Sequence, residues 1–201
     1  WFYFINRAQF RHKILNKNLF LDGRLIHSYL ADVNMLFKRK PHDTINLLKD
    51  FYKKACKDIE SNISAGFKIN FLGISLGNIF SIRAASEYPC ERLISISGGS
   101  RLDISSWDGI LTRDLAMKSD LSQEAYESTL SEFDPFKYVK KVKSKEILVY
   151  LGGKDKIIRS EHGVELLNTF QKYHSNVKAK FYPYADHCSS IYLALKDQTK
   201  F

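Results

Sequence analysis

Cysteine is scarce in this sequence: Cys56, Cys90 and Cys188 are the three among 201 residues. They are odd in number and far apart, and no CxxC or similar metal-type spacing occurs. That speaks against a disulfide-stapled fold and against a zinc ribbon. Reduced thiols, and with them a cytoplasmic location, are the expectation. Apolar runs are short, well under the roughly 20 residues of a membrane-spanning helix, so stable membrane insertion is not expected. Nothing at the start reads as a secretory leader: "WFYFINRAQF" has neither a basic start nor a small-residue cleavage site. The chain opens on Trp1 instead of Met, so this absence weighs little. Repeats, low-complexity tracts and linkers are lacking too, which leaves a single domain over residues 1–201.

Acidic residues are in deficit. Asp and Glu number 22 against 31 Lys and Arg, a net charge of +9. The densest basic cluster is "KYVKKVKSK", Lys137 to Lys145. A nucleic-acid protein interleaves such a cluster with a recognisable binding motif. None is present, and no nucleic-acid partner is expected. A solvated face is the plain reading, with anionic substrates or a membrane surface as the other two.

What the sequence does have is alternation. Short apolar runs alternate with helical patterns, the mark of a doubly wound, mostly parallel α/β sheet. Strands are expected at Phe2 to Ile5, Leu25 to Val33, Ile69 to Leu72, Arg92 to Ile96, Glu146 to Leu151 and Val177 to Tyr182, about six in all. A weak helix is expected over Phe10 to Phe20, stopped by Gly23. The clearest helix runs from about Asp43, its N-cap, to Ile63. Leu48, Phe51, Tyr52, Ala55, Cys56, Ile59 and Ile63 share one of its faces. Further helices are expected at Ile79 to Tyr88, Ser160 to Tyr173 and Ser189 to Lys196. Between Gly98 and Ser144 the alternation breaks. Residues 100–144 carry Trp107, Leu111, Met117, Tyr126, Leu130 and Phe133 in short helical stretches, and read as an inserted cap or lid.

Inside this pattern stands "KINFLGISLGNIF", a strand running into Gly73-Ile74-Ser75-Leu76-Gly77 and out into a helix. A serine between two glycines is common in loops, but a strand, G-x-S-x-G and a helix together form the context of a nucleophile elbow. The alternative is a structural turn. Serine needs a base and an acid to become nucleophilic, in chain order Ser, acid, His. "VYLGGKDKII" puts Asp155 just after the strand Glu146 to Leu151, and "FYPYADHCSS" puts His187 just after the last strand. All three fall at the carboxyl edge of the sheet, where open α/β sheets bind ligands. His162 and His174 lie at the ends of a helix and read as surface residues. Asp186 adjoins His187, and neighbouring side chains diverge. Cys188 reads as packing.

With these pieces the sequence resembles the α/β-hydrolase superfamily, and most of all its small esterase, lipase and acyl-hydrolase members. The resemblance rests on Gly73-Ile74-Ser75-Leu76-Gly77, Gly152-Gly153-Lys154-Asp155, Asp186-His187 and "EFDPFKYVKKVKSKEILVYLGGKDKII". It covers most of the chain from about Leu25. It implies Ser75 as nucleophile, His187 as general base and then acid, and Asp155 as the residue that orients the imidazole. Asp103 is the alternative acid, since some family members place it after the earlier strand. The backbone N–H of Leu76 would supply one oxyanion donor. The family's His-Gly is replaced by Ile5-Asn6-Arg7-Ala8, so Arg7 or Ala8 is the expected second donor. The first two strands of the family are expected to be absent. Trp107, Met117 and Tyr126 either line an acyl pocket or form the cap's own core. The implied activity is cleavage of a small-molecule carboxylic ester or thioester through an acyl-enzyme, without metal or organic cofactor. An amidase or peptidase, or a non-catalytic binding protein on the same fold, are the alternatives. The sequence does not specify an oligomeric state.

Overall fold

A computed structural model of the chain describes residues 2–6, 19–21, 24–31, 41–107, 109–110, 112–119 and 122–198, with side chains from residue 42 onward except 102, 103, 106, 115 and 129. Its elements in order are β1 (Phe2–Asn6), β2 (Leu19–Leu21), β3 (Arg24–Ala31), α1 (Pro41–Ser64), β4 (Asn70–Ile74), α2 (Asn78–Glu87) and β5 (Cys90–Ile96). A helical excursion follows: α3 (Leu102–Trp107), α4 (Arg113–Met117), α5 (Gln123–Leu130) and α6 (Phe136–Val139). The chain then returns through β6 (Ser144–Gly152), α7 (Ser160–Tyr173), β7 (Val177–Tyr182) and α8 (His187–Gln198).

The strands form one seven-stranded sheet in the order β2-β3-β1-β4-β5-β6-β7. All neighbours are parallel except β2 and β3. The expected six strands become seven because Leu19–Leu21 is an antiparallel strand, with Leu19 opposite Ile26, where a weak helix was expected to end. The sequence carries Asp-Gly at 22–23, the dipeptide favoured by two-residue hairpins, and this outweighs the helical spacing. The rest of that expected helix lies outside the described residues.

Strands β4 to β6 are apolar on both sides because both faces are covered. Phe71, Leu93, Ile147, Val149 and Leu151 face a core shared with α1, α2 and α7, represented by Leu48, Phe80 and Phe170. The intervening Leu72, Ile74, Ile94, Ile96, Leu148 and Tyr150 face the other way, against Ile191 and Ala194 of α8. Helix α2 is buried nearly all round, with the small polar Asn78, Ser81 and Ser86 among its buried residues. Pro41 opens α1, where its missing N–H is no loss. Asp43 lies inside the first turn instead of capping it, where its charge still suits the helix dipole.

Chain direction across the sheet reverses at β1, which lies between β3 and β4. That switch point is where an open α/β sheet leaves a crevice at its carboxyl edge. Ser75 follows β4 directly, so the fold puts it at the crevice.

Candidate active site

Strand β4 ends in a 3-10 turn, Ser75–Gly77, that leads into α2. Ser75 has φ +53°, in the left-handed region that strains any side chain with a Cβ. Gly73 makes the tight turn possible: a Cβ there would lie 2.8 Å from Asn78 Cα and 2.1 Å from Ser81 Oγ. Gly77 is buried in the turn with an ordinary φ of −61°. Leu76 follows Ser75, 6% exposed.

Asn78, at the first position of α2, is 1% exposed. Its Nδ2 donates to the carbonyls of Ser75 and Ile96, both at 3.0 Å. The amide therefore ties the strained turn to the end of β5. Reading by motif passed over this residue. The signal available was an amide side chain directly after G-x-S-x-G, at the first position of the helix.

His187 starts α8 and is 2% exposed. Asp186 Oδ1 accepts from the Ser189 N–H at 2.8 Å, the pattern of an N-cap, and that bond holds its carboxyl below the usual carboxylate range. The cap is why α8 begins at His187, two residues before the helix expected at Ser189. Ser190 Oγ donates to the His187 carbonyl at 2.9 Å and meets Ser97 Oγ at 2.6 Å, so the turn bearing the imidazole is anchored to the chain just after β5.

Asp155 sits on the loop after β6, 6% exposed. Its Oδ1 accepts the N–H groups of Ile157 and Ile158, each at 3.0 Å. Its Oδ2 faces His187 Nδ1 at 2.6 Å, and His187 Nε2 lies 3.0 Å from Ser75 Oγ. A carboxylate only accepts, so Nδ1 carries the proton and Nε2 is left to accept from the Ser75 hydroxyl. Gly152-Gly153 allows the two loops to meet. A Cβ on Gly152 would lie 2.7 Å from the Ala185 carbonyl oxygen, and one on Gly153 2.5 Å from that of Pro183. Two bonds, Gly153 N–H to Tyr182 O and Lys154 N–H to Ala185 O, stitch the contact.

The other expected residues lie elsewhere. His174 Nε2 is 2.7 Å from the Val139 carbonyl oxygen, and His162 Nδ1 is 4.0 Å from Glu165. Asp103 lies in α3, its side chain outside the described residues. Arg7 and Ala8 lie outside them altogether. Tyr126 needs a correction: it is 0% exposed and belongs to the main core with Leu130 and Phe133, so it does not wall an open pocket. The reason is that α5 packs on α1 and α6 on α2, which merges that half of the excursion with the main helical layer. The Trp107 ring lies tilted against that of Tyr126, centroids 5.4 Å apart, and Met117 is 72% exposed.

No protein-family model matches the sequence, and no curated protein matches it either. Solved structures do match its fold. A puromycin-hydrolysing peptidase of Mycobacterium tuberculosis superposes with a TM-score of 0.59 at 12% identity, over 75% of this chain and 24% of that one. An acylaminoacyl peptidase of Pyrococcus horikoshii gives 0.57 at 19% identity, over 75% and 25%. An esterase of Pyrococcus furiosus gives 0.48 at 20% identity, over 66% and 50%. The chain thus spans a quarter to a half of the length of these structures. Its fold is that of the α/β-hydrolase superfamily.

Proposed function

We propose that the protein is a serine hydrolase that cleaves a carboxylic ester or thioester through an acyl-enzyme. The observation that carries this reading is the buried hydrogen-bonded chain from Asp155 through His187 to Ser75, with 2.6 and 3.0 Å links. Ser75 Oγ attacks the acyl carbonyl while His187 Nε2 takes its proton. The same proton then goes to the leaving group, and His187 next activates the water that releases the acid. Asp155, pinned by two backbone N–H groups, holds the imidazole in the tautomer this requires. Developing negative charge on the carbonyl oxygen is met by the N–H of Leu76, in the turn just before α2. Arg7 or Ala8 supplies the second donor in this reading, since β1 ends beside the Ser75 turn. The 102–117 half of the excursion acts as the cap: a Cβ on Gly109 would lie 3.5 Å from the Ile157 carbonyl oxygen, on the acid loop. A cytoplasmic setting goes with the three free cysteines. Among the described residues no helix is long and apolar enough to cross a membrane.

The second reading is an amidase or peptidase with the same three residues, which the likeness of fold to two peptidases brings into play. A panel of p-nitrophenyl esters of graded acyl length, run beside acyl-amino-acid anilides, separates the readings. Ester turnover that disappears in Ser75→Ala is expected. Faster turnover of the anilides would favour the peptidase, and no turnover of either would leave a binding protein.

A further inference from the structure

A cavity of about 480 Å³ opens against the loop that carries Asp155. Lys154, Lys156 and Arg159 line it, with Ile110 of the excursion on another wall and Glu161 as its one free carboxylate. Asp155, also on the wall, is already engaged by His187 and two backbone N–H groups. Among the described residues none of the three cations is paired with a carboxylate. Lys154 lies 5.5 Å from the Tyr184 ring centre, which orients the ammonium without neutralising it.

The neighbouring strands differ in this respect. Along the neighbouring strands the cations are matched: Lys145 by Glu91, Arg92 and Lys178 by Glu146, and Lys180 by Asp197. A basic protein that pairs its charges there, yet leaves three unpaired around one concavity, has a local positive field directed into that concavity. Ile110, 65% exposed, adds an apolar surface beside the charge.

We propose that this cavity is a subsite for an anionic group, carboxylate or phosphate, carried on an aromatic or aliphatic part of the substrate. The proposal rests on the hydrolase reading for its catalytic meaning, because the cavity shares the acid loop with the Ser75 site. Lys156 and Arg159 hold the anion, Lys154 adds charge at the rim, and Ile110 covers the apolar part.

The test uses two probes. Phenyl phosphate binding is measured by calorimetry on the wild-type protein and on K156E/R159E, with K156Q/R159Q as a milder second variant. Affinity should fall at least about tenfold in the charge-reversed protein, less in the neutral one, and should weaken as salt is raised to ~0.5 M. In parallel, kcat/KM is compared for the acetyl esters of p-hydroxybenzoate and p-hydroxybenzamide, and the anionic-to-neutral ratio should fall by a similar factor in K156E/R159E. Equal phenyl phosphate affinity in all three proteins overturns the subsite. Loss of binding in the variants, with neither ester turned over by wild type, upholds the subsite and overturns the hydrolase reading.

Discussion

Ser75 holds φ at +53°, a conformation that costs a residue with a side chain about 1–3 kcal/mol and persists only where its surroundings enforce it. Asn78 is a large part of that enforcement, since it bonds the Ser75 and Ile96 carbonyls from a fully buried position. Asn78→Asp keeps the size but aims a carboxylate at two carbonyl oxygens. It should lose roughly 1–3 kcal/mol of stability and slow fluorophosphonate labelling of the folded protein. A folded variant that labels at the wild-type rate would show that the turn holds Ser75 without the amide. Asp155→Asn tests the other end of the hydrogen-bonded chain. An amide can present N–H to His187 Nδ1 and stabilise the wrong tautomer, so kcat should fall by on the order of 10⁴ in a folded protein. An Asp103→Asn variant with the larger loss would move the acid to α3. Ser75, Asp155 and His187 were legible because each follows a strand end in a motif whose chemistry demands it. Asn78 was not, because one amide at a helix start reads as a cap. Tyr126 misled because aromatic spacing in a short helix does not say which surface it is buried against.

At the scale of elements, apolar periodicity carried furthest where tertiary packing agrees with it. Helix Ser160–Tyr173 and strand Val177–Tyr182 were expected with these same ends. Strand β6 grew at both ends, since pairing of Ser144 with Cys90 of β5 and of Gly152 with Tyr182 of β7 extends it past its apolar centre. Strand β2 was missed because three residues are too short for any period to show. The β5-β6-β7 edge carries a charge ladder as well: Glu146 binds Lys178 Nζ at 2.7 Å and Arg92 Nε at 2.8 Å. The Lys178 hydrogen bond, helped by Arg92, lowers the Glu146 carboxyl below its ordinary range. A lowered carboxyl stabilises the fold above its unfolded pKa, and that contribution disappears as pH falls through the folded value. Glu146→Gln should therefore cost about 1 kcal/mol or less near neutral pH. Denaturant titrations of the two proteins should converge as pH drops below about 5. A gap that stays constant to pH 3 would assign the loss to packing instead of charge.

For the whole molecule, the decisive feature is the reversal of strand order at β1, between β3 and β4. It opens the sheet edge where β4 ends, and the loops after β6 and β7 deliver Asp155 and His187 to the same edge. Alternation of strand and helix made this architecture readable, because a crossover in a parallel sheet usually runs through a helix. The excursion was readable only as a break in the pattern. Its helices pack according to contacts far apart in sequence, which no local period encodes. In the reading proposed here, this edge makes Ser75 a nucleophile. The most direct measurement is reaction with a fluorophosphonate probe, followed by peptide mapping of the wild-type protein and of Ser75→Ala. One covalent adduct is expected, on Ser75, absent from the folded variant. Labelling that persists in Ser75→Ala, or an adduct on Ser189 or another serine, would contradict it.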